Sequence, residues 1–552
     1  WAPDGTALRF NWNAPLAFDP FATGTVYFGS QFVHKSENRG NSWQVVSPDL
    51  TTNDSTKQRQ SESGGLTIDD SGAENHTSLI TIAPSPVEED LIWTGSDDGK
   101  VHLSRAAGGT WVDLTGEIGG VPDDTWIPHI EPSKHSGATA YVVFDDHRRG
   151  NWDPYLYRTE DYGDDWDNIG RHKGVDGRDR GIDGFLHTVE EDPVTPNLLF
   201  AGGEFGLFVS VDRGERWFKW THGLPTVPVR SLTIHPRDHD LVIGTHGRAI
   251  WILDDIRPLR AIAQDPFVMQ ESVHLFETPA AYVHYTAAVD GYHFAGDAMF
   301  QGESRPEGAL LTYWLSAAQD DSVQITVSAL GGETQKTITG PGALGLNRIS
   351  WDLRMDMRGL DSGEFWDGGL FGLDAPQVLP GDYTVTVRAS GVESSRPLSV
   401  LPDPRVDIEM SERERRRTAI LAGARLSQRL ALVERAAAEV RVGAQRVRDR
   451  LSEVSVEDAT ILRESADELL AGLADAADLE PARAYRREVS GLSSSYDAPT
   501  EAQRLELGRL SELVDALESE MNVFLLGPVA RFRDEVLAAT LEVFPSPRLV
   551  GN

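Results

Sequence analysis

The sequence of 552 residues contains no cysteine, few lysines and no long apolar run. The lack of cysteine excludes disulfides, thiolate metal sites and cysteine nucleophiles. No segment approaches 18 consecutive apolar residues, so no membrane span is predicted. Only 7 of the 51 basic residues are lysines, and 86 acidic residues give a formal net charge of −35. Because like charges repel, we expect neither nucleic acid nor an anionic membrane surface as a partner.

The common catalytic motifs are also missing. The sequence contains no G-x-S-x-G, H-E-x-x-H or Walker loop, and histidines such as His129, His135 and His147 lack the spacing of metal ligands. We therefore expect no metal and no cofactor. The chain starts at Trp1 without a leader, which predicts a processed or partial chain. The acidic balance favours a secreted, periplasmic or cell-surface protein.

An eight-residue pattern, [ST]-x-[DN]-x-G-x-x-W, recurs along the first part of the chain. It begins at Ser36, Thr159 and Ser210, and a copy from Ser104 has Ala106 in place of the acidic residue. The copies are roughly 50–70 residues apart, which is a repeat period. The pattern resembles the Asp-box, or BNR repeat.

Each copy follows a proline and an apolar run that ends in glycine, as at Gly29, Gly95 and Gly202, and a fifth such run ends at Gly244. Short β-rich runs at this period predict about four strands per repeat, which is a propeller blade. We predict about five blades over residues 1–256.

The pattern has a mechanical explanation. Its hydroxyl and acidic groups can bond the turn's own backbone, its glycine can adopt positive φ, and its tryptophan can pack between blades. A catalytic or metal-binding aspartate is the alternative. The residues predicted to be structural are Ser36, Asn38, Gly40, Trp43, Ser104, Gly108, Trp111, Thr159, Asp161, Gly163, Trp166, Ser210, Asp212, Gly214 and Trp217.

Loops at the opposite end of the blades are the candidate functional region. If the Asp-boxes join the third and fourth strands, the loops before each third strand converge at the other face. The candidate catalytic carboxylates are Asp97, Asp98, Asp145, Asp146 and Glu204, and the candidate ligand-binding residues are His147, Arg148, Arg149, His246 and Arg248. The loops entering the blades add Asp69, Asp70, Glu74, His76, Trp126, Asp183 and His187. Solvated turns are the alternative for each residue.

Three further segments follow the repeats. Residues 257–306 show no clear period and predict a linker that partly packs onto its neighbours. Residues 307–402 contain short alternating runs, which predict an immunoglobulin-like sandwich. Residues 403–552 predict a helical hairpin or bundle, with apolar periodicity over 411–454, 456–477 and 500–541. Capping boxes at Ser411 and Thr500, and a weaker signal at Ser455, predict helix starts.

The order of these parts resembles a bacterial family of sortilin-like BNR-repeat proteins, often labelled glycosyl hydrolases. The segments that carry the resemblance are "TVYFGSQFVHKSENRGNSWQVVSPDLTTND", "VIGTHGRAIWILDD" and "LPGDYTVTV". Trp351-Asp352 and Pro380-Gly381-Asp382-Tyr383 are similar to the Ig-like module of flagellar hook-capping proteins. The family implies further blades, supplied by a missing N-terminal propeller segment or a partner chain.

Two functions remain open at this point. The first is an extracytoplasmic binding or scaffold protein with a peptide, protein or glycan ligand. The alternative is a polysaccharide-cleaving glycoside hydrolase, which needs two carboxylates about 5–10 Å apart on the propeller face. The resemblance supplies no catalytic residues, and fold alone does not establish function.

Overall fold

The computed structural model describes residues 5–59, 62, 72–171, 181–284, 302, 304–319, 323–357, 375–453, 459–493 and 495–539. The chain forms two compact units, Trp1–Gln270 and Glu271–Asn552. The first is built mainly of small antiparallel sheets. The second combines further sheets with a C-terminal helical region.

The described residues of the first unit form five sheets, which we label A to E in chain order. In each sheet the strands are neighbours in sequence order. Sheet A has β1 Leu16–Phe18, β2 Val26–Gly29, β3 Val33–Ser36 and β4 Gln44–Val45; sheet B has β5 Leu79–Pro84, β6 Ile92–Ser96, β7 Val101–Ser104 and β8 Val112–Asp113. Sheet C has β9 Trp126–Pro132, β10 Ala140–Asp145, β11 Tyr155–Thr159 and β12 Asp167–Asn168. Sheet D has β13 Leu186–Glu191, β14 Leu199–Gly203, β15 Gly206–Ser210 and β16 Phe218–Trp220, and sheet E has β17 Val229–Ile234, β18 Leu241–Thr245 and β19 Ile250–Leu253.

Consecutive sheets pack side by side through their first strands, so that β5 contacts β1 and β9, and β13 contacts β9 and β17. Side chains of neighbouring sheets share cores: Trp93 and Val101 of sheet B pack with Ile127 and Ile130 of sheet C. Because a middle sheet is covered on both faces, its strands are continuous apolar runs rather than alternating ones. Meanders of four strands stacked in this way are typical of propeller blades.

A register shift recurs between the first and second strands of sheets B, C, D and E, between Leu79 and Thr81 in sheet B and between Val229 and Ser231 in sheet E. An extra residue at such a bulge changes the direction of the side chains beside it. The bulges lie at the end of the sheets where the candidate loops are.

The predicted linker over residues 257–306 differs from the structure in its described part. Helix α1, Arg257–Gln264, and a 3-10 helix, Pro266–Gln270, belong to the first unit. Arg260 of α1 is buried and donates from Nε to Asp192 Oδ2 at 2.7 Å. A buried, paired arginine fixes the helix to sheet D, which composition alone could not show.

The second unit begins with two sheets that share one core. Strands β20 Val273–Leu275, β22 Ala309–Leu315 and β25 Gly345–Trp351 form sheet F. Strands β21 Ala281–Val283, β27 Val392–Pro402, β26 Gly381–Ala389, β23 Val323–Ala329 and β24 Thr334–Gly340 form sheet G. Leu311 and Tyr313 of sheet F pack with Ile325, Val385 and Val400 of sheet G. Strands β20 and β21 lie within the segment predicted as linker.

The C-terminal region is helical: α2 Met410–Glu453, α3 Ala459–Ala476, α4 Glu480–Ser490, α5 Glu501–Phe524, a π-helical turn Leu525–Val529, and α6 Ala530–Ala538. Apolar side chains of α2, α3, α5 and α6, such as Leu430, Leu469, Val514 and Phe532, form one core. None of the helices in the described ranges is both long and apolar enough to cross a membrane.

Helix boundaries confirm one predicted cap and correct another. Thr500 accepts from Gln503 N, and the Gln503 side chain accepts from Thr500 N, so the capping box is present. The cap predicted at Ser411 is wrong because α2 already begins at Met410, where the carbonyl of Glu409 accepts from Glu412 N. Ser455 lies outside the described residues.

Candidate functional site

The two ends of sheets A to D carry different loops. We call the end with the turns between third and fourth strands the lower face, and the end with the loops between second and third strands the upper face. The eight-residue copies join β3 to β4, β7 to β8, β11 to β12 and β15 to β16, all at the lower face. The candidate catalytic and ligand-binding residues therefore lie at the upper face.

The polar groups of the lower-face turns bond within the turns. Ser210 Oγ accepts from Gly214 N at 2.8 Å, and Asp212 Oδ1 accepts from Arg216 N at 2.9 Å. Ser36, Ser104 and Thr159 accept in the same way from Gly40, Gly108 and Gly163, and all four glycines have positive φ. Asn38 and Asp161 take the position of Asp212.

The tryptophans of these turns contact the preceding sheet or their own turn. Trp217 Nε1 donates to Ile169 O of sheet C at 2.8 Å, and Trp111 Nε1 donates to Val46 O of sheet A at 3.1 Å. Trp43 and Trp166 donate to the glycine carbonyl three residues earlier.

At the upper face of sheets A and B, two candidate carboxylates are buried and bonded to the protein. Asp97 accepts from Ser78 N at 2.9 Å and contacts His76 Nδ1 at 3.3 Å, and this hydrogen bond raises the pKa of His76. Asp98 accepts from Thr52 N at 2.8 Å and from Thr52 Oγ1 at 2.6 Å. Their oxygens hold loops of sheets A and B together.

A cavity of about 350 Å³ lies between sheets B and C. Its apolar side is formed by Ile118, Val121 and Phe144, and its polar side includes Asp98 and Lys100. Asp123 and Asp124 lie on its rim, where Asp124 pairs with Lys57 at 2.6 Å.

The end of β10 and the loop between β10 and β11 of sheet C bring Asp145, His147 and Arg148 together beside Phe185, which precedes sheet D. The buried Asp145 accepts from His147 Nδ1 at 2.5 Å, and Arg148 Nη1 lies 3.7 Å from its other oxygen. Because the carboxylate only accepts, His147 Nδ1 carries the proton. The His147 ring stacks on Phe185 at 4.4 Å, and Arg148 lies 4.1 Å above the Trp126 ring.

Beside this group, His187 is held in one neutral form. Arg230 donates to its Nδ1 at 3.2 Å, so its Nε2 carries the proton and donates to Glu204 Oε2 at 3.2 Å. Burial, and then the charge of Arg230, lower the pKa of His187 to about 3. Glu204 is the most exposed of the five candidate carboxylates.

Two aromatic residues complete this group. Trp152 and Phe205 stack with ring centroids 5.9 Å apart and planes inclined by 15°, and Trp152 also meets the edge of Phe185. Trp152 is 53% exposed. We call Asp145, His147, Arg148, Trp152, Phe185, His187, Phe205, Glu204 and Arg230 the C–D cluster.

The remaining candidates are spread over the upper face. Asp146 accepts from Arg149 Nε at 2.5 Å, and Arg149 also bonds Asp123 O and Thr125 Oγ1. His246 and Arg248 are exposed on the loop between β18 and β19. Glu74 accepts from Trp12 Nε1, and Asp183 is exposed. Asp69 and Asp70 lie outside the described residues.

Sequence reasoning missed Trp152, Phe205 and Arg230. Trp152 and Phe205 stand in loops without apolar periodicity, directly beside charged residues. An aromatic residue in a polar loop of the candidate face is the signal that could have found them. In the described part of the chain, no three histidine, aspartate or glutamate side chains are placed to hold a metal ion.

No family model and no curated protein matches the sequence. Solved structures similar to the chain include an ancestral GH74 enzyme, at 12% identity and a TM-score of 0.31 over 72% of this chain and 48% of that one. A GH74 xyloglucanase from Xanthomonas campestris is 11% identical, with a TM-score of 0.32 over 71% and 55% of the two chains. YCF48 from Cyanidioschyzon merolae is 12% identical, with a TM-score of 0.29 over 46% and 69%. The chain spans about half the length of the GH74 structures.

Proposed function

We propose that the protein is an extracytoplasmic β-propeller binding protein that takes a peptide or glycan ligand on the C–D cluster. The observation that carries this proposal is the exposed Trp152 ring, stacked on the half-buried Phe205 beside fixed polar groups. An aromatic surface bordered by charged donors and acceptors is typical of recognition sites. Arg148, His147 and Glu204 supply those groups.

The state of the carboxylates favours binding over hydrolysis. Asp97 and Asp98 bond loop backbones, and Asp146 is occupied by Arg149. Asp145 orients His147. A carboxylate that already accepts hydrogen bonds from the fold is a positioning group, and a glycosidase needs one acid and one base free to reach the substrate. In the hydrolase alternative, Glu204, the most exposed of the candidate carboxylates, would be one of the two acting groups.

The proposal includes the finer features of the resemblance. The lower-face turns act as structural Asp-boxes of a BNR-repeat, sortilin-like protein, the two-sheet part of the second unit as an Ig-like module, and the protein is secreted, periplasmic or on the cell surface. A further propeller segment or a partner chain packs against the blades. The closed hydrogen bonds of the lower-face turns support the structural role.

The test is a screen of the full chain against immobilised polysaccharides and peptide libraries, with reducing sugar release measured in parallel. The proposal predicts binding without turnover. If sugars are released and Glu204→Gln abolishes the release while the circular dichroism spectrum is unchanged, the hydrolase alternative is correct. The absence of any ligand among both classes contradicts the proposal.

A further inference from the structure

A glycine one residue before the end of the second strand marks where the next sheet comes close. A Cβ on Gly95 of sheet B would lie 2.6 Å from Ile127 Cγ2 of sheet C, and a Cβ on Gly202 of sheet D would lie 2.7 Å from Val229 Cγ1 of sheet E. No real Cβ fits at such distances, so these positions require glycine because another sheet packs there.

Sheet E has a glycine at the same position, Gly244, but in the described part of the chain no following sheet packs close to it. Gly244 is the penultimate residue of β18, as Gly95 is of β6 and Gly202 of β14, but the three atoms nearest to its Cβ position all belong to Ser231 of the same sheet. One face of sheet E points away from sheet D, and Gly244 lies where the next sheet would come close to it. Among the described residues, no sheet packs against this face. We call this the trailing face of sheet E.

The third strands show the same contrast in burial. The residues paired with these glycines are Val101 in sheet B, Leu207 in sheet D and Ile250 in sheet E. Val101 and Leu207 are 0% exposed, whereas Ile250 is 70% exposed. Ile252, one pleat further on the same face, is exposed as well. In sheets B and D the residues at these positions are buried. Two exposed isoleucines at the same positions of sheet E indicate an interface whose partner is missing from the described residues.

Sheet A, the first of the five sheets, has an exposed face that is the counterpart of the trailing face of sheet E. In sheets A, B, D and E, the residue directly before the second-strand glycine pairs with a residue of the first strand. These first-strand residues are Leu16 in sheet A, Ile82 in sheet B, Val189 in sheet D and Leu232 in sheet E. The last three are buried against the preceding sheet, whereas Leu16 is 61% exposed. Phe18 beside it is exposed too. We call this the leading face of sheet A.

We propose that a second copy of this chain packs the leading face of its sheet A on the trailing face of sheet E. This goes beyond ligand binding and names one occupant for the exposed parts of both faces. On the leading face, Phe10 of the same chain already stacks on Phe28, the partner of Leu16. The contact repeats the interface that the chain makes between its own consecutive sheets, with Leu16 of one copy against Ile250 of the other. Such a head-to-tail contact is heterologous, and it either closes a ring or extends.

The first test is the mass of the full chain in solution, measured by light scattering. The proposal predicts multiples of 60.6 kDa, and a return to the single-chain mass in Ile250→Asp and in Leu16→Asp. Higher salt should strengthen association, since it screens the repulsion between chains of net charge −35. Val194→Asp, an exposed valine in the loop between β13 and β14, is the matched control and should not change the mass.

The second test uses the absence of cysteine, which makes single-cysteine variants unambiguous. A mixture of Leu16→Cys and Ile250→Cys with a short bismaleimide should give covalent chain pairs, while each variant alone, and Ile250→Cys with Val194→Cys, should not.

Either of two results overturns the proposal. One is a wild type that keeps the single-chain mass at high salt, which leaves these faces to another polypeptide. The other is crosslinking of Leu16→Cys with itself, which indicates a symmetric contact instead. Both outcomes are independent of whether the upper face binds a ligand.

Discussion

Trp217 attaches the lower-face turn of sheet D to the preceding sheet C. Its ring is buried in the core between sheets C and D, and its Nε1 donates to Ile169 O. Trp217→Ala is expected to lower the free energy of unfolding by about 3–5 kcal/mol, as for other large-to-small core changes. Trp217→Phe keeps most of the packing and loses the hydrogen bond, which should cost about 1–3 kcal/mol because Ile169 O is then unpaired.

Asp212→Ala is the matched change on the same turn. It removes the hydrogen bonds that Asp212 accepts from Ser210 Oγ, Arg216 N and Arg216 Nε, and should cost about 1 kcal/mol, as the loss of a helix cap does. Denaturant unfolding of the three variants gives the order. Wild-type stability in Trp217→Ala would show that the turn does not anchor the sheets.

Glu190 is a buried carboxyl that sequence reasoning did not single out. Lys134 Nζ lies 3.2 Å from its Oε1, Ile234 N donates to the same oxygen, and Glu131 shares the lysine. Burial, and then the charge of Glu131, raise the pKa of Glu190 to about 7. In the folded protein this carboxyl holds its proton to a higher pH than in the unfolded chain.

The sign of the pH effect follows from this. The stabilisation is complete below the unfolded pKa and is lost as pH rises through 7. Relative to wild type, Glu190→Gln should therefore gain stability between pH 5 and pH 8, by on the order of 2 kcal/mol. The measurement is the difference between the two unfolding free energies at each pH, since buried His187 contributes with the opposite sign in both proteins. A difference that stays constant with pH contradicts the shifted pKa.

For single residues, the sequence was sufficient to place the candidates in the upper-face loops. It could not show which of their carboxylates already accept hydrogen bonds from the protein and which can reach a ligand. Asp97 and Asp98 are bonded by Ser78 and Thr52, which lie 19 and 46 residues away. Partners at such separations are set by how sheets A and B meet. The same holds for Arg230, which fixes His187 from another sheet.

At the scale of secondary-structure elements, the local sequence pattern was sufficient to predict the sheets, but it predicted the helices only in part. A period of roughly 50–70 residues with apolar runs and turn residues sufficed for four strands per repeat. Helix α4, Glu480–Ser490, was not predicted as a separate helix, and the residues predicted as linker instead contribute α1, β20 and β21. These segments are short, and tertiary contacts such as Arg260 with Asp192 decide their structure.

The start of α5 offers a prediction at the element scale. Thr500 and Gln503 satisfy each other's backbone N–H groups. Thr500→Ala should lower the free energy of unfolding by about 0.5–2 kcal/mol, whereas Thr500→Ser keeps the acceptor and should stay near wild type. Thermal unfolding of the two variants compares them directly. Equal losses in both would mean that the methyl group, and not the cap, stabilises the helix start.

For the whole molecule, the composition and the repeat were sufficient to predict a mainly β chain with many small sheets and a helical C-terminal region. The residues of the proposed site were predicted only to the level of a face. Which sheets supply it depends on Trp152 and Phe205 meeting across sheets C and D, a contact that no spacing in the sequence encodes.

The most direct test of the account is the effect of Trp152→Ala on affinity for the ligand that the screen returns, measured by calorimetry. The proposal predicts at least about a tenfold loss, which is about 1.4 kcal/mol. Phe267→Ala removes an aromatic ring outside the C–D cluster that is even more exposed than Trp152, and this variant should bind as wild type does. Unchanged affinity in Trp152→Ala, or a loss in Phe267→Ala instead, would contradict a ligand site on the C–D cluster.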